Sequence, residues 1–156
     1  LTIHTDGGSL NNPGKAACAF LIHANGNLLH KYNEYIGIAS NNVAEYTALI
    51  RALEYVKNNL LRHSERSEES HKDNKSQRDP SALPQDDIKS IHVFADSELM
   101  IRQVTGVYKV KNADIKPLHT KIKMLEMEIG IPILYTHVLR EKNSEADALV
   151  KAALGR

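Results

Sequence analysis

Four carboxylates stand in local settings that could bring them together. Asp6 lies in Thr5-Asp6-Gly7-Gly8-Ser9 and Glu45 in Asn41-Asn42-Val43-Ala44-Glu45-Tyr46. Asp96 closes the apolar run Ile91-His92-Val93-Phe94-Ala95, and Asp147 ends Asn143-Ser144-Glu145-Ala146-Asp147. Carboxylates repel one another, so a fold that gathers several of them needs a compensating cation. Hard oxygen ligands of this kind suit Mg²⁺ or Mn²⁺. The set points to metal-dependent phosphoryl-transfer chemistry. Each acid also has a simpler explanation of its own. Asp6 before two glycines could mark a turn, and Glu45 could complement a helix dipole. Asp96-Ser97 could open a helix, and Asp147 could be a solvated helical residue. The joint pattern is harder to dismiss, because two of the acids are expected at strand ends and two on helices that could pack against the sheet.

The elements that would position these acids follow from periodicity and turn chemistry. Residues 1–5 alternate apolar and polar and predict a strand ending at Asp6, with a turn at Asn11-Asn12-Pro13-Gly14. Residues 15–23 and 28–36 read as strands joined through Asn25-Gly26, a pair that favours a hairpin. A helix is expected from a cap at Ser40, Asn41 or Asn42 through about residue 60, with Val43, Tyr46, Leu49, Leu53 and Val56 on its apolar face. Further on, residues 88–95 predict a buried strand, 97–104 a short helix capped by Ser97, and 113–128 a helix with Pro117 in its first turn. Residues 131–137 predict a strand and 144–154 a closing helix capped by Asn143 or Ser144. The order is βββαβααβα, an α/β fold with a mixed sheet flanked by helices.

A chain of 156 residues, 42% hydrophobic, is expected to form one domain with a real core. Residues 62–87 break the pattern: Ala82 and Leu83 are their only clearly apolar members. Such a segment is expected to be a disordered polar insertion without catalytic residues. Its five Lys/Arg and seven Asp/Glu, removed from the chain's 20 and 19, leave 15 against 12. That excess leans weakly toward a polyanionic partner. The lone Cys18, in an apolar run, excludes an internal disulfide and a Cys-based metal cage. No apolar run is long enough to span a membrane, and no signal-peptide pattern opens the residues, so a cytoplasmic protein without a membrane partner is expected. No obligate protein partner is evident.

The ordered pieces Thr5-Asp6-Gly7-Gly8-Ser9, Asn12-Pro13-Gly14, Asn41-Asn42-x-x-Glu45-Tyr46-x-Ala48-Leu49, Asp96-Ser97 and His137-Val138-x-Arg140-Glu141-x-Asn143-x-x-Ala146-Asp147 together resemble type 1 ribonuclease H. The resemblance runs from residue 1 to about 154, interrupted only by the insertion. It implies a ribonuclease H-like five-stranded mixed sheet, and endonucleolytic hydrolysis of the RNA strand of an RNA–DNA hybrid to 3′-hydroxyl and 5′-phosphate ends. It also implies two ions per site, Mg²⁺ with Mn²⁺ as substitute. Asp6, Glu45 and Asp96 would be the core metal ligands and Asp147 would complete the set. By the same analogy Asp6 would bridge the ions, with Glu45 on the leaving-group side and Asp147 on the water side.

Reading the 2′-hydroxyl that distinguishes RNA would fall to backbone groups of a Gly7-Gly8-Ser9 turn and to Asn12 and Asn42. Those asparagines could instead be turn and cap residues, a reading that weighs less for Asn12 than for Asn41. Ser97 could touch backbone or only cap its helix. Lys111 and Asn112, with Lys109, resemble a stretch that contacts DNA phosphates, or form a solvated basic loop. The family's mobile histidine falls at His137, which could instead be structural, and Arg140 could contact phosphate or steady a carboxylate. The chain departs from some bacterial members in lacking tryptophan altogether, and with it a tryptophan-rich basic handle. The rival readings are another nuclease of the same fold and a hybrid-binding module with weak catalysis.

Overall fold

The computed structural model describes residues 1–61 and 88–156, so the insertion expected at 62–87 lies outside the described residues. Five strands form one sheet: β1 (Thr2–Ser9), β2 (Gly14–Ala24), β3 (Asn27–Ala39), β4 (Ile91–Ala95) and β5 (Ile133–His137), in the order β3-β2-β1-β4-β5. β1 pairs antiparallel with β2, and β2 with β3, whereas β4 joins β1 and β5 joins β4 in parallel. Parallel pairs need crossover connections, and helices supply them. The helices are α1 (Asn41–Tyr55), α2 (Glu98–Val104), α3 (Lys116–Ile129) and α4 (Ser144–Ala153). The expected α/β order is therefore present. No helix among the described residues is long and apolar enough to cross a membrane.

The core lies between one face of the sheet and α1, α2 and α3. Ile3, Phe20, Ile22, Ile91 and Val93 from the strands meet Tyr46, Leu49, Leu53, Met100, Ile122 and Leu125 from the helices. On the opposite face, Val150 of α4 is buried against Ala17 and Ala19 of β2. Small residues on β2 let this second helix lie close to the sheet.

Several boundaries differ from the expected ones for local reasons. β1 does not end at Asp6: it continues to Ser9, with Asp6, Gly7, Gly8 and Ser9 opposite Ala19, Cys18, Ala17 and Ala16. Gly7-Gly8-Ser9 is thus strand, not turn. β3 reaches Ala39, because beyond the register shift at Ala16/Ala17 it goes on pairing with β2, Gly37 opposite Ala16, Ile38 opposite Lys15 and Ala39 opposite Gly14. α1 ends at Tyr55 and passes into a π-turn, Val56–Leu60, closed by the Leu61 N–H donating to the Val56 carbonyl at 3.1 Å. β4 and β5 start later than their apolar runs, at Ile91 and Ile133. α3 starts at Lys116 because Asn112 organises the preceding turn, its Oδ1 accepting from the Asp114 N–H at 2.7 Å and the Ile115 N–H at 3.2 Å.

Gly7 fixes how α1 meets the sheet. A Cβ there would lie 2.3 Å from the Ala44 carbonyl carbon and 2.5 Å from the Glu45 nitrogen. Only the missing side chain lets the backbone of α1 rest on β1 at this point. At Gly8 the nearest atoms to a built Cβ are 3.8 Å away. Gly7→Ala should therefore destabilise the protein by about 2–4 kcal/mol, since backbone atoms on both sides must separate. Gly8→Ala should change stability by less than about 1 kcal/mol. Equilibrium urea unfolding of both variants checks the contrast; equal effects would mean that the contact at Gly7 is not a constraint.

Candidate active site

The register of the central parallel pair aligns two of the acids. The ladder between β1 and β4 ends at Thr5↔Ala95, so Asp6 and Asp96 are the next residues of two adjacent chains. β1 goes on while β4 stops, which leaves the two side by side at the carboxyl end of the parallel pair. Such strand ends are where open α/β sheets commonly hold ligands.

Glu45 arrives from α1. Ser40 caps this helix through its Oγ, which accepts from the Val43 N–H at 3.2 Å. Asn41 ties the helix start to β1, its Oδ1 accepting from the Ser9 N–H at 2.8 Å and the Ser9 hydroxyl at 3.1 Å. Beside Glu45, the buried Tyr46 hydroxyl donates to Gln103 Oε1 of α2 at 2.7 Å. The close approach at Gly7 then sets Glu45 against Asp6. One carboxylate oxygen from each of Asp6, Glu45 and Asp96 lies within 4.8 Å of the others.

The electrostatics of this cluster are unfavourable by construction. Asp6 is 5% and Glu45 8% exposed. Burial, then the nearby charges of Asp96 and Asp147, push the Asp6 carboxyl up to about 8. Burial, then Asp6 and Asp96, hold Glu45 well above the usual carboxylate range. The Gly7 N–H and the Arg140 guanidinium oppose both shifts but do not overcome them. Glu45 Oε2 is buried with no hydrogen-bond partner among the described residues.

Asp147 lies in the first turn of α4. It lines the same cleft as Asp6, Glu45 and Asp96, together with Gly7, Gly8, Ser9, Asn41, Asn42, Ser97, Arg140 and Lys151. Its carboxylate is outside the close group of three and instead pairs with Lys151, Oδ2 to Nζ at 3.0 Å. The start of α4 is pinned to β1 by the buried Asn143, whose Nδ2 donates to the Thr5 carbonyl at 2.8 Å. Asn143 occupies the N-cap position without capping through its side chain. Its role as a strut one residue from Asp6 has no periodic signal in the sequence; only its spacing of four from Asp147 hints at it.

The remaining predicted residues divide by position. Arg140, in a 3₁₀ turn (Arg140–Asn143), faces the cleft, whereas His137 is the exposed last residue of β5 and does not line it. Ser97 lines the cleft and also caps α2, its Oγ accepting from the Met100 N–H at 3.2 Å. A neighbouring groove holds Asn12 and Asn112, and Asn42 borders both openings. Asn12 Oδ1 already accepts from the Asn41 N–H at 3.0 Å, so the cap reading holds for that atom. The Asn42 side chain makes no hydrogen bond with the described residues and remains available. Lys111 is exposed and lines neither opening. Lys151 was not singled out by sequence reasoning, although its i,i+4 spacing from Asp147 is a legible ion-pair signal.

Comparisons with known proteins agree with this architecture. A sequence model of the RNase H family matches residues 1–75, and one described as reverse transcriptase-like matches residues 82–153. Ribonuclease HI of Halobacterium salinarum is 30% identical over 151 residues, covering 96% of this chain. The bifunctional protein Rv2228c of Mycobacterium tuberculosis is 29% identical over 156 residues. The chain spans 61% of the first relative's length and 35% of the second's. Among solved structures, LC11-RNase H1 in complex with an RNA/DNA hybrid superposes with a TM-score of 0.75 at 37% identity, covering 99% of this chain and 96% of that one. With likeness of this extent over both chains, and with the acids, strands and helices in the order described, the chain belongs to the type 1 ribonuclease H family.

Proposed function

We propose that this chain hydrolyses the RNA strand of RNA–DNA hybrids endonucleolytically, using divalent cations and leaving 3′-hydroxyl and 5′-phosphate ends. The observation that carries the reading is the meeting of Asp6, Glu45 and Asp96 within 4.8 Å at the floor of an open cleft. The 37% identity to a protein solved with an RNA/DNA hybrid supports the substrate class.

The residues present fit a divalent cation. The donors are all carboxylate oxygens, two of the acids are buried, and Glu45 Oε2 lacks any partner among the described residues. An orphaned buried carboxylate oxygen is costly unless something outside the chain satisfies it. Asp6, Glu45, Asp96 and Asp147 would hold the metal, two Mg²⁺ ions with Mn²⁺ as substitute. When bound, such ions activate a water and stabilise charge on the phosphate and the leaving oxygen.

The chain's own residues do the rest. Arg140 stands at the cleft with a charge that can meet a phosphate of the RNA strand. Asn42, without a side-chain hydrogen bond among the described residues and lining both openings, offers both a donor and an acceptor to a 2′-hydroxyl. The groove with Asn12 and Asn112 gives the DNA strand a second line of contact. His137 is proposed only as a group that could approach from the end of β5.

An end-labelled hybrid, incubated with Mg²⁺, Mn²⁺ or EDTA beside RNA and DNA duplexes, tests this reading. Cutting confined to the RNA of the hybrid is expected, lost in EDTA and reduced at least about 100-fold in Asp96→Asn. Near-normal cutting by that variant would overturn the metal-site assignment, and binding without cutting would favour a hybrid-binding module.

The acid cluster also predicts a sign for stability. An acid whose folded-state pKa is raised from 3.8 to about 8 favours the unfolded state as pH rises between those values. Asp6→Asn should therefore stabilise the metal-free protein at pH 8, by about 1–3 kcal/mol, and not at pH 3.5. Thermal unfolding in EDTA at both pH values measures this; a destabilised variant at pH 8 would contradict the repulsion described.

A further inference from the structure

Asp147 and Lys151 are one turn apart on α4, and both line the cleft. Their ion pair, 3.0 Å long, involves side chains 26% and 52% exposed. The backbone beneath them is fixed at two points. Val150 is buried against Ala17 and Ala19, and Asn143 is bonded to the Thr5 carbonyl. A change of partner by Asp147 would thus fall to its side chain, in the cleft it shares with Asp6, Glu45 and Asp96. An acid four residues before a base is also the more favourable order for such a pair. The three carboxylates that already meet do so without Asp147.

We propose that Lys151 is a positioning residue for metal binding: it holds Asp147 apart from Asp6, Glu45 and Asp96, and Asp147 joins them only when that ion pair opens. The proposal rests on the reading that the cleft takes divalent cations. It makes the site fill in two unequal steps. Asp6, Glu45 and Asp96 offer their oxygens at once, whereas the step that needs Asp147 must first displace the Lys151 ammonium. Lys151 thus weakens the second step in the free protein and keeps Asp147 from adding its full charge to a cluster already rich in repulsion. After the exchange, the freed ammonium stands at the rim of a cleft proposed to receive a polyanion.

The test is a calorimetric titration of Mn²⁺ into the metal-free protein, with the Mn²⁺ electron paramagnetic resonance signal followed in parallel. Wild type, Lys151→Ala, Lys151→Arg, Asp147→Asn and the double variant Asp147→Asn/Lys151→Ala are compared. In Lys151→Ala the weaker Mn²⁺ step should tighten by about two- to fivefold, the range open to an exposed ion pair, or a second step should appear where wild type shows one. The stronger step should stay unchanged and Lys151→Arg should behave as wild type. Asp147→Asn should abolish the weaker step, and adding Lys151→Ala to it should restore nothing. An unchanged weaker step in Lys151→Ala would overturn the proposal, as would a single step in every protein. Tightening that survives in the double variant would also overturn it, since loss of positive charge alone would then explain the effect. The titration needs no nucleic acid. Absence of hybrid cleavage together with these Mn²⁺ responses would fault the substrate assignment and leave Lys151's role standing. Cleavage without them would do the reverse.

Discussion

Asp6, Glu45 and Asp96 are held within 4.8 Å of one another against their own repulsion, the first two of them buried. Nothing in their mutual interaction favours that arrangement, so the rest of the fold has to impose it. The parallel ladder between β1 and β4 fixes Asp6 beside Asp96, and the glycine at position 7 lets α1 press its backbone onto β1 and deliver Glu45. Asn41, Asn143 and the Tyr46–Gln103 hydrogen bond then fasten α1 and α4 from their far sides. Asn41 and Asn143 converge on β1, the central strand, paired on both sides, while the Tyr46 bond ties α1 to α2. A site of this kind stores unfavourable electrostatics in a rigid frame and releases it when positive charge arrives.

The same frame explains what was legible in the sequence. Strand and helix periodicities, the Asn25-Gly26 hairpin and the Ser40 and Ser97 caps are local signals, and they recover the βββαβααβα order. The four acids could be picked out because each stands in a distinct setting, and the resemblance to type 1 ribonuclease H ordered them. Less legible were features that depend on contacts between distant residues. Continuation of β1 through Gly7 and Gly8 contradicts the local turn preference of Asp-Gly, because pairing with Cys18 and Ala17 and the packing of α1 override it. Asn143 looked like a helix cap but spends its amide on Thr5, 138 residues away. Asn12 looked available to a substrate, yet its carbonyl oxygen is engaged with α1.

The cleft itself is asymmetric. Three acids belong to the sheet and to α1, which share one core, while Asp147 rides on α4, packed on the opposite face through a few small residues. Its partner Lys151, with Arg140 and Arg156, brings positive charge to the same cleft. Charge of both signs is thus built into one opening, with the acids at the floor and cations at the edge. That distribution suits a ligand which is itself anionic but must approach through metal ions. The chain carries no tryptophan, so no indole ring lines either opening.

Uptake of divalent cations by this carboxylate cluster is the proposal on which the others rest. It is tested most directly by calorimetric titration of Mg²⁺ into the metal-free protein at neutral pH, in two buffers of different ionisation enthalpy. The predicted result is saturable binding accompanied by proton release, because carboxyls that burial keeps protonated must ionise to bind metal. The absence of saturable binding at millimolar Mg²⁺ would contradict the claim.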